Sequence, residues 1–359
     1  MTSHQPAKPG NPLKAIFAHR LAWPVIALAA LLLLNQLFRP DFLALRMQDG
    51  HLYGSLIDIM RNGAPTILIA LGMTLVIATR GIDLSVGAVV AIAGAASCAY
   101  IAASPEPGSP ATALTAVLIA VVAGLAVGAW NGFLVATIGV QPIIATLVLM
   151  TAGRGIAQLI TGGQIISVSN DNYKAIGAGY LFTLPVSILV TAAIFVLAAV
   201  LTRRTALGTL IEAVGINPVA SRLAGLRSRN IVWIVYVFSA VCAAFAGLMI
   251  SSNVTAADAN NAGLYIEMDA ILAVVIGGTS LAGGRYTLTG TVVGAFIIQT
   301  LTTTVYTLGI PPEVTLVFKA LVVITVCLLQ APKARKVFAR LKATARPAAM
   351  EPAKEKVAL

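Results

Sequence analysis

Ten long, nearly uncharged runs, at roughly 21–38, 63–79, 84–103, 111–138, 143–162, 180–202, 231–252, 268–282, 288–308 and 314–330, limit this chain to one solvent. A helix needs about 20 apolar residues to cross about 30 Å of hydrocarbon, where the backbone must satisfy its own hydrogen bonds. Composition points the same way: 58% of residues are hydrophobic and 10% are charged, against about 25% charged in soluble domains. Too few ionisable residues are present to coat a soluble globule of this length, so soluble enzyme folds are excluded. The 31 glycines and the 6% aromatic content fit helices that approach closely through small residues, not the alternating aromatic strands of an outer-membrane barrel. The expectation is an all-α polytopic membrane protein with about ten transmembrane helices. The fifth run contains Arg154, and the eighth, short and glycine-rich, reads as a full span or as a re-entrant, broken one.

The net charge of +11 would suggest nucleic acid on a soluble domain. With ten spans and a cytoplasmic N-terminus, however, 18 of the 24 basic residues fall on the cytoplasmic side. This is the positive-inside distribution, and it accounts for the charge without a nucleic-acid partner. Both termini are then expected in the cytoplasm. The run 21–38 follows Lys8, Lys14 and Arg20 as a signal peptide would, but no small-x-small cleavage pattern follows it, so it reads as a retained anchor. The expected organisation is a cytoplasmic segment 1–20, a transmembrane domain 21–330 with its longest internal cytoplasmic loop at about 203–230, and a basic, disordered cytoplasmic tail 331–359.

No catalytic centre is visible. The chain has no phosphate-cradling G-x-x-x-x-G-K-[ST] loop, since no Lys follows a Gly. His4, His19 and His51 lie in terminal or loop segments, and no carboxylate pair stands at helical spacing within a run. Cys98, Cys242 and Cys327 are far apart inside apolar runs and form neither a disulfide framework nor a metal site. The chain is therefore expected to be neither an enzyme nor a metal protein, and to bind no cofactor of its own.

Three stretches carry mechanism. In Arg80-Gly81-Ile82-Asp83-Leu84-Ser85-Val86-Gly87, either Asp83 or Ser85 caps the third run while Gly81 makes the turn, or both also face a polar pathway. The loop from Thr205 to Leu226 has short helical pieces interrupted by Gly215 and Pro218, the form expected of a helix that docks in a groove of a soluble partner. The third runs from Asn260 through Glu267 and Asp269 to Gly283-Gly284-Arg285. Two acids lead there into a Gly, Ser and Thr-rich half-span suited to a buried or cavity-lining position. Gly124, Gly128 and Gly132, and again Gly290 and Gly294, stand four apart and predict close helix packing.

These stretches resemble the ribose-type sugar permeases of bacterial ABC importers, over about residues 20 to 330. The matching motifs are Gly-Ile-Asp-Leu-Ser-Val-Gly at 81–87, Glu-Ala-Val-Gly-Ile-Asn from 212, and Asp-Ala-Ile-Leu-Ala-Val-Val-Ile-Gly-Gly-Thr-Ser-Leu-Ala-Gly-Gly from 269. Within that family, 257–264 together with Gln48-Asp49-Gly50 looks most like a permease of galactofuranose importers. The resemblance implies the ABC importer permease fold, in the bacterial inner membrane. Its partners would be a second permease that is a different chain, a cytoplasmic ATP-binding subunit that uses ATP and Mg, and a periplasmic sugar-binding protein. It also implies that Glu212, Ala213, Gly215, Asn217, Ala220 and Gly225 sit against the ATPase groove. One departure is Arg80, where related chains commonly carry Gly.

A sugar route has to replace hydrogen bonds from water without trapping the solute, which favours amide and hydroxyl groups over fixed charge. Beside Asp83 and Ser85, the candidates within the runs are Asn131, Gln141, Thr146, Gln158, Gln299 and Thr303, each of which could equally bond a neighbouring helix. Arg154 and Lys319 are expected to snorkel from span ends. The other readings are a permease of the same fold for ribose, xylose or an autoinducer, and an ion-coupled secondary transporter. The last requires a carboxylate at mid-span, and the runs show none there.

Overall fold

A computed structural model describes residues 21–48, 50–309, 311 and 314–330. The N-terminal segment 1–20 and the basic tail 331–359 lie outside the described residues. In chain order the helices are α1 (Ala22–Phe38), α2 (Ser55–Ala78), α3 (Val86–Ala103), α4 (Pro110–Gly132), α5 (Pro142–Thr161), α6 (Asp171–Ala178), α7 (Val186–Arg204), α8 (Leu207–Ile216), α9 (Pro218–Leu223), α10 (Ser228–Val254), α11 (Ile266–Ile276), α12 (Leu288–Thr307) and α13 (Val314–Gln330). Among the described residues, seven helices are long and apolar enough to cross a membrane: α2, α3, α4 with its continuation to Ile138, α5, α7, α10 and α12. The fold is thus a polytopic helical membrane protein. Of the ten predicted spans, the first and tenth form helices of 17 residues each, and the eighth is the 11-residue α11.

Among the described residues, six very short strands make three antiparallel pairs. The hairpin β1 (Arg46–Gln48) and β2 (His51–Tyr53) leads into α2, and the hairpin β4 (Tyr180–Leu181) and β5 (Leu184–Pro185) leads into α7. The Leu52 N–H donates to the Thr183 carbonyl at 3.0 Å and joins the two hairpins. β3 (Ile166–Ser167) pairs with β6 (Ala256–Ala257) in the register Ile166 to Ala257. The hairpins mark one end of the bundle, the hairpin face; α8 and α9 mark the other, the α8 face.

The helix limits follow local chemistry. Ser109 accepts the Ala111 N–H at 3.2 Å ahead of Pro110, and Pro142 opens α5, which stops at Gly162 with φ +61°. Asn170 caps α6 by accepting the Tyr173 N–H at 2.9 Å. At the end of α4, residues Phe133–Ile138 widen into a π-helical turn that stops at Gly139 with φ +86°.

α2 is the central post: every residue from Gly63 to Ala78 is buried, as expected of a helix that is apolar on all sides. α10 lies against α2, α3 and α4, and small residues set these distances. A methyl group on Gly128 would lie 2.7 Å from the Val237 Cα, one on Gly124 2.7 Å from the Ala244 Cβ, and one on Gly294 2.0 Å from the Ala273 carbonyl oxygen. Buried polar pairs then fix neighbouring helices: Thr74 with Thr291 at 2.7 Å, Tyr173 with Ser251 at 2.7 Å, and Asn35 donating to Thr304 at 2.8 Å. Lys319 on α13, expected to snorkel, instead pairs with Asp269 on α11 at 2.8 Å.

Gly294→Val is expected to lower stability in detergent by about 1–3 kcal/mol or more, because overpacking must push α12 from α11. Gly155, within α5 with nothing inside 4 Å of an added methyl, gives the contrast: Gly155→Ala is expected to stabilise by about 0.5–1 kcal/mol. Denaturation midpoints of the two variants in one detergent check both signs.

Candidate translocation site

The turn between α2 and α3 forms the first polar cluster. Its left-handed residue is Arg80, with φ +68°, and not Gly81. Gly81 is required for a different reason, since a methyl there would lie 2.5 Å from the Tyr236 hydroxyl. Asp83 is 1% exposed and spends its carboxylate inside the protein. One oxygen accepts the Ser85 N–H at 3.1 Å and the Ser85 hydroxyl at 2.6 Å, and the other accepts the Ser239 hydroxyl at 3.0 Å. Asn131 of α4 donates to Ser85 at 2.8 Å. Thr146 of α5 donates to the Ile82 carbonyl at 3.2 Å and to its own Pro142 carbonyl at 2.9 Å. Asp83, Ser85, Asn131 and Thr146 are all buried, so four of the predicted pathway residues meet in one internal clamp that joins the starts of α3 and α5 to α4 and α10.

The second polar region lies between α10 and α11. The chain leaves α10 at Thr255 (φ +50°) and enters α11 at Tyr265 (φ +62°), two non-glycine residues held left-handed, an arrangement that costs about 1–3 kcal/mol each and needs surrounding structure to hold it. After β6 (Ala256–Ala257) the backbone up to Tyr265 is irregular and descends beside α3. Ala259 packs with Ile92 and Ala157, and a methyl on Gly263 would lie 2.8 Å from Val90 and 2.9 Å from the Gly87 carbonyl oxygen. Gly87 is needed in turn, because a methyl there would lie 2.6 Å from the Gly263 carbonyl. Arg154, well inside α5 rather than at its end, donates to the Ala262 carbonyl at 2.6 Å and to the Ala259 carbonyl at 3.1 Å. Its expected snorkelling is therefore replaced by satisfaction of two carbonyls that no helix serves.

The outward side of this segment is polar. Asn260, Asn261 and Gln158 are exposed, and Gln158 donates to Asn260 at 2.6 Å. Asp258 organises the turn by accepting the Asn260 N–H at 2.9 Å and the Asn261 side-chain amide at 2.7 Å. Irregular backbone at membrane depth persists only where protein covers it or a water-filled cavity adjoins it. Of the other candidates, Gln141 is exposed at the α8-face end of α5. Gln299 is partly buried with its stem against Gly63, and Thr303 is partly buried on α12. Only Gln158 among the eight belongs to this polar wall. In the sequence, Asn260 and Asn261 stand as a polar run after the seventh span that opens the third stretch and carries part of the family resemblance, and nothing in their spacing marks them as a surface.

The third region is the α8 face. Gly215 does not interrupt the helix there; α8 runs through it to Ile216. Asn217 then caps α9, accepting the Val219 and Ala220 N–H groups at 3.0 Å each, with Pro218 in the first position. Asn217, Ala220 and Gly225 are exposed, Glu212 and Ala213 partly so, and Gly215 is buried. A methyl on Gly215 would lie 1.9 Å from the Ala78 carbonyl and 2.5 Å from the Gly284 nitrogen. Gly215 therefore seats α8 on its own bundle. Ile216, Val219 and Leu223 project outward at 62%, 57% and 86% exposure. Tyr286, outside the spans and near Thr202 and Glu212, has its hydroxyl pushed above the ordinary range by burial.

A bundle of spanning helices with an irregular polar segment at depth and a docked pair of short helices at one end is the form of a membrane permease. The chain matches the family described as "Branched-chain amino acid transport system / permease component" over residues 55–327, and it belongs to that family. It is 49% identical over 319 residues to the galactofuranose transporter permease protein of Escherichia coli strain K12, covering 88% of this chain and 92% of that one. It is 41% identical over 348 residues to the fructose import permease protein of Bifidobacterium longum strain NCC 2705, covering 95% and 96%. It is 35% identical over 307 residues to the ribose import permease protein of Haemophilus influenzae, covering 84% and 90%. No solved structure matches. The chain is thus a transport component and not an enzyme.

Ser239→Ala and Asn131→Ala are each expected to destabilise by about 1–3 kcal/mol, by leaving a buried polar partner unsatisfied. Neither is expected to change which solute is carried. Competition uptake assays beside melting curves check both, and altered selectivity in either variant would contradict a purely internal role for the clamp.

Proposed function

We propose that this chain is the transmembrane permease subunit of an ATP-driven sugar importer, with galactofuranose as its sugar. The route runs along the amide-bearing wall of Gln158, Asn260 and Asn261. The observation that carries the reading is that wall: neutral donors and acceptors, held by a strained irregular segment and Arg154, at a depth where apolar side chains face lipid. Neutral amides can exchange hydrogen bonds with successive sugar hydroxyls without the tight hold of a fixed charge. The 49% identity to the galactofuranose permease across 88% of the chain supports the choice of sugar.

In this reading the α8 face is cytoplasmic, as the basic residues Arg80, Arg203, Arg204, Arg222, Arg227, Arg229 and Arg285 favour. Ile216, Val219 and Leu223 then enter the groove of a separate ATP-binding subunit, with Asn217, Ala220 and Gly225 at the contact. ATP and Mg belong to that subunit. A second permease, proposed to be a different chain, completes the route, and a periplasmic sugar-binding protein delivers the sugar at the hairpin face.

Purification in mild detergent is expected to bring down an ATPase and a second permease, and the reconstituted complex is expected to carry galactofuranose in preference to fructose or ribose. Recovery of this chain alone would remove the reading; fructose or ribose as the preferred solute would replace the sugar and leave the rest. Asn260→Ala is expected to raise the KM for uptake about tenfold, the loss of about 1.4 kcal/mol of hydrogen bonding, with ATPase co-purification unchanged.

A further inference from the structure

We infer that Arg80 is a positioning residue that carries displacement of α8 into the turn before α3, and so to the Asp83 clamp. The inference rests on the proposal that α8 and α9 receive an ATPase. The guanidinium of Arg80 donates through Nε to the Gly215 carbonyl at 2.6 Å and through Nη2 to the Ile216 carbonyl. These are among the last carbonyls of α8, which have no partner within the helix and lie at its negative end. A planar fork on two adjacent carbonyls fixes direction as well as distance, which a single ammonium cannot do.

Three further features converge there. Arg80 holds a left-handed backbone, φ +68°, although a residue with a side chain resists that conformation. The Gly284 N–H donates to the Ala78 carbonyl at 2.8 Å, and a methyl on Gly283 would lie 2.5 Å from the Arg80 Cγ. The segment between α11 and α12 therefore closes on the same joint, two residues from the end of α2. Three residues after Arg80, Asp83 reaches Ser239 of α10 at 3.0 Å, and Ser85 is held by Asn131 of α4 at 2.8 Å. A push on α8 thus has a short bonded route to α3, α4 and α10.

The joint also has somewhere to go. A cavity of about 300 Å³ lies between Gly81, Tyr236, Val214 and Pro218, beside both the turn and α8. The Tyr236 hydroxyl on the cavity wall is buried without a partner among the described residues, and so is the Asn131 Oδ1 of the neighbouring clamp, beside Ser85. Buried polar groups are ordinarily bonded, so a second setting of the turn that served either of them would be favoured. Strain at Arg80, free space and unsatisfied neighbours are what a two-position element requires.

The test compares Arg80→Gly and Arg80→Lys in the complete importer complex reconstituted into proteoliposomes, measuring ATP hydrolysis, sugar moved per ATP, co-purification and melting temperature. Glycine relieves the left-handed strain while removing the fork. The expected Arg80→Gly result is an equal or higher melting temperature, normal co-purification and continued hydrolysis, with at least a fivefold fall in sugar moved per ATP. Arg80→Lys is expected to fall between Gly and the unaltered chain. Normal coupling in Arg80→Gly overturns the inference and leaves the importer reading intact. A lower melting temperature, or lost co-purification, also overturns it by making Arg80 a staple or a docking contact. Failure of the unaltered chain to recruit any ATPase counts instead against the importer reading.

Discussion

The two hydrogen bonds from Arg154 to the Ala259 and Ala262 carbonyls make the central departure from regular structure possible. A chain that leaves its helix inside a bilayer exposes N–H and C=O groups that hydrocarbon cannot serve, each at a cost of several kcal/mol. One guanidinium with two carbonyl partners answers part of that cost, and the turn built on Asp258 answers more of it. Ala259, Gly263 and Gly87 let the segment lie close to α3. What remains outward is amide chemistry, which is why the same constraint that shapes the segment also suits it to the proposed sugar route.

Much of the architecture was legible because its causes are local. Seven of the predicted spans are helices of full length among the described residues, since about 20 apolar residues in a row have few other solutions. The eighth run read equally as a span or a broken element, and Gly277 and Gly278 settle it: α11 stops at Ile276 and the chain closes back toward α2. The glycine spacings in α4 and α12 foretold close packing without naming the partners, which are α10 and α11.

The site was less legible, because pairings between distant helices leave no trace in spacing. Asp83, Ser85, Asn131 and Thr146 are polar residues in apolar runs, and that property alone does not separate a lining residue from a clamp. Only the fold brings Ser239 to Asp83 and so directs the carboxylate inward. Lys319 likewise looked like a residue that snorkels until α13 was placed beside Asp269. Gly215, grouped by its motif with the ATPase contacts, proves to be the point at which α8 rests on Ala78 and Gly284. Asn260 and Asn261 lay in an interspan stretch by hydropathy, which has no means of showing that a loop turns back toward the bundle.

The most direct measurement is labelling of single cysteines by a membrane-impermeant maleimide added from outside, in a chain with Cys98, Cys242 and Cys327 replaced. Thiols at 260 and 261 are expected to react, and to be protected by the transported sugar. A thiol in place of Val148, on the exposed apolar side of α5, is expected to stay unlabelled, and one in place of Phe182, at the tip of the β4–β5 hairpin and 86% exposed, is expected to react with or without sugar. If 260 and 261 stay unlabelled while 182 reacts, no water-filled route adjoins the irregular segment, and the proposed translocation wall is wrong.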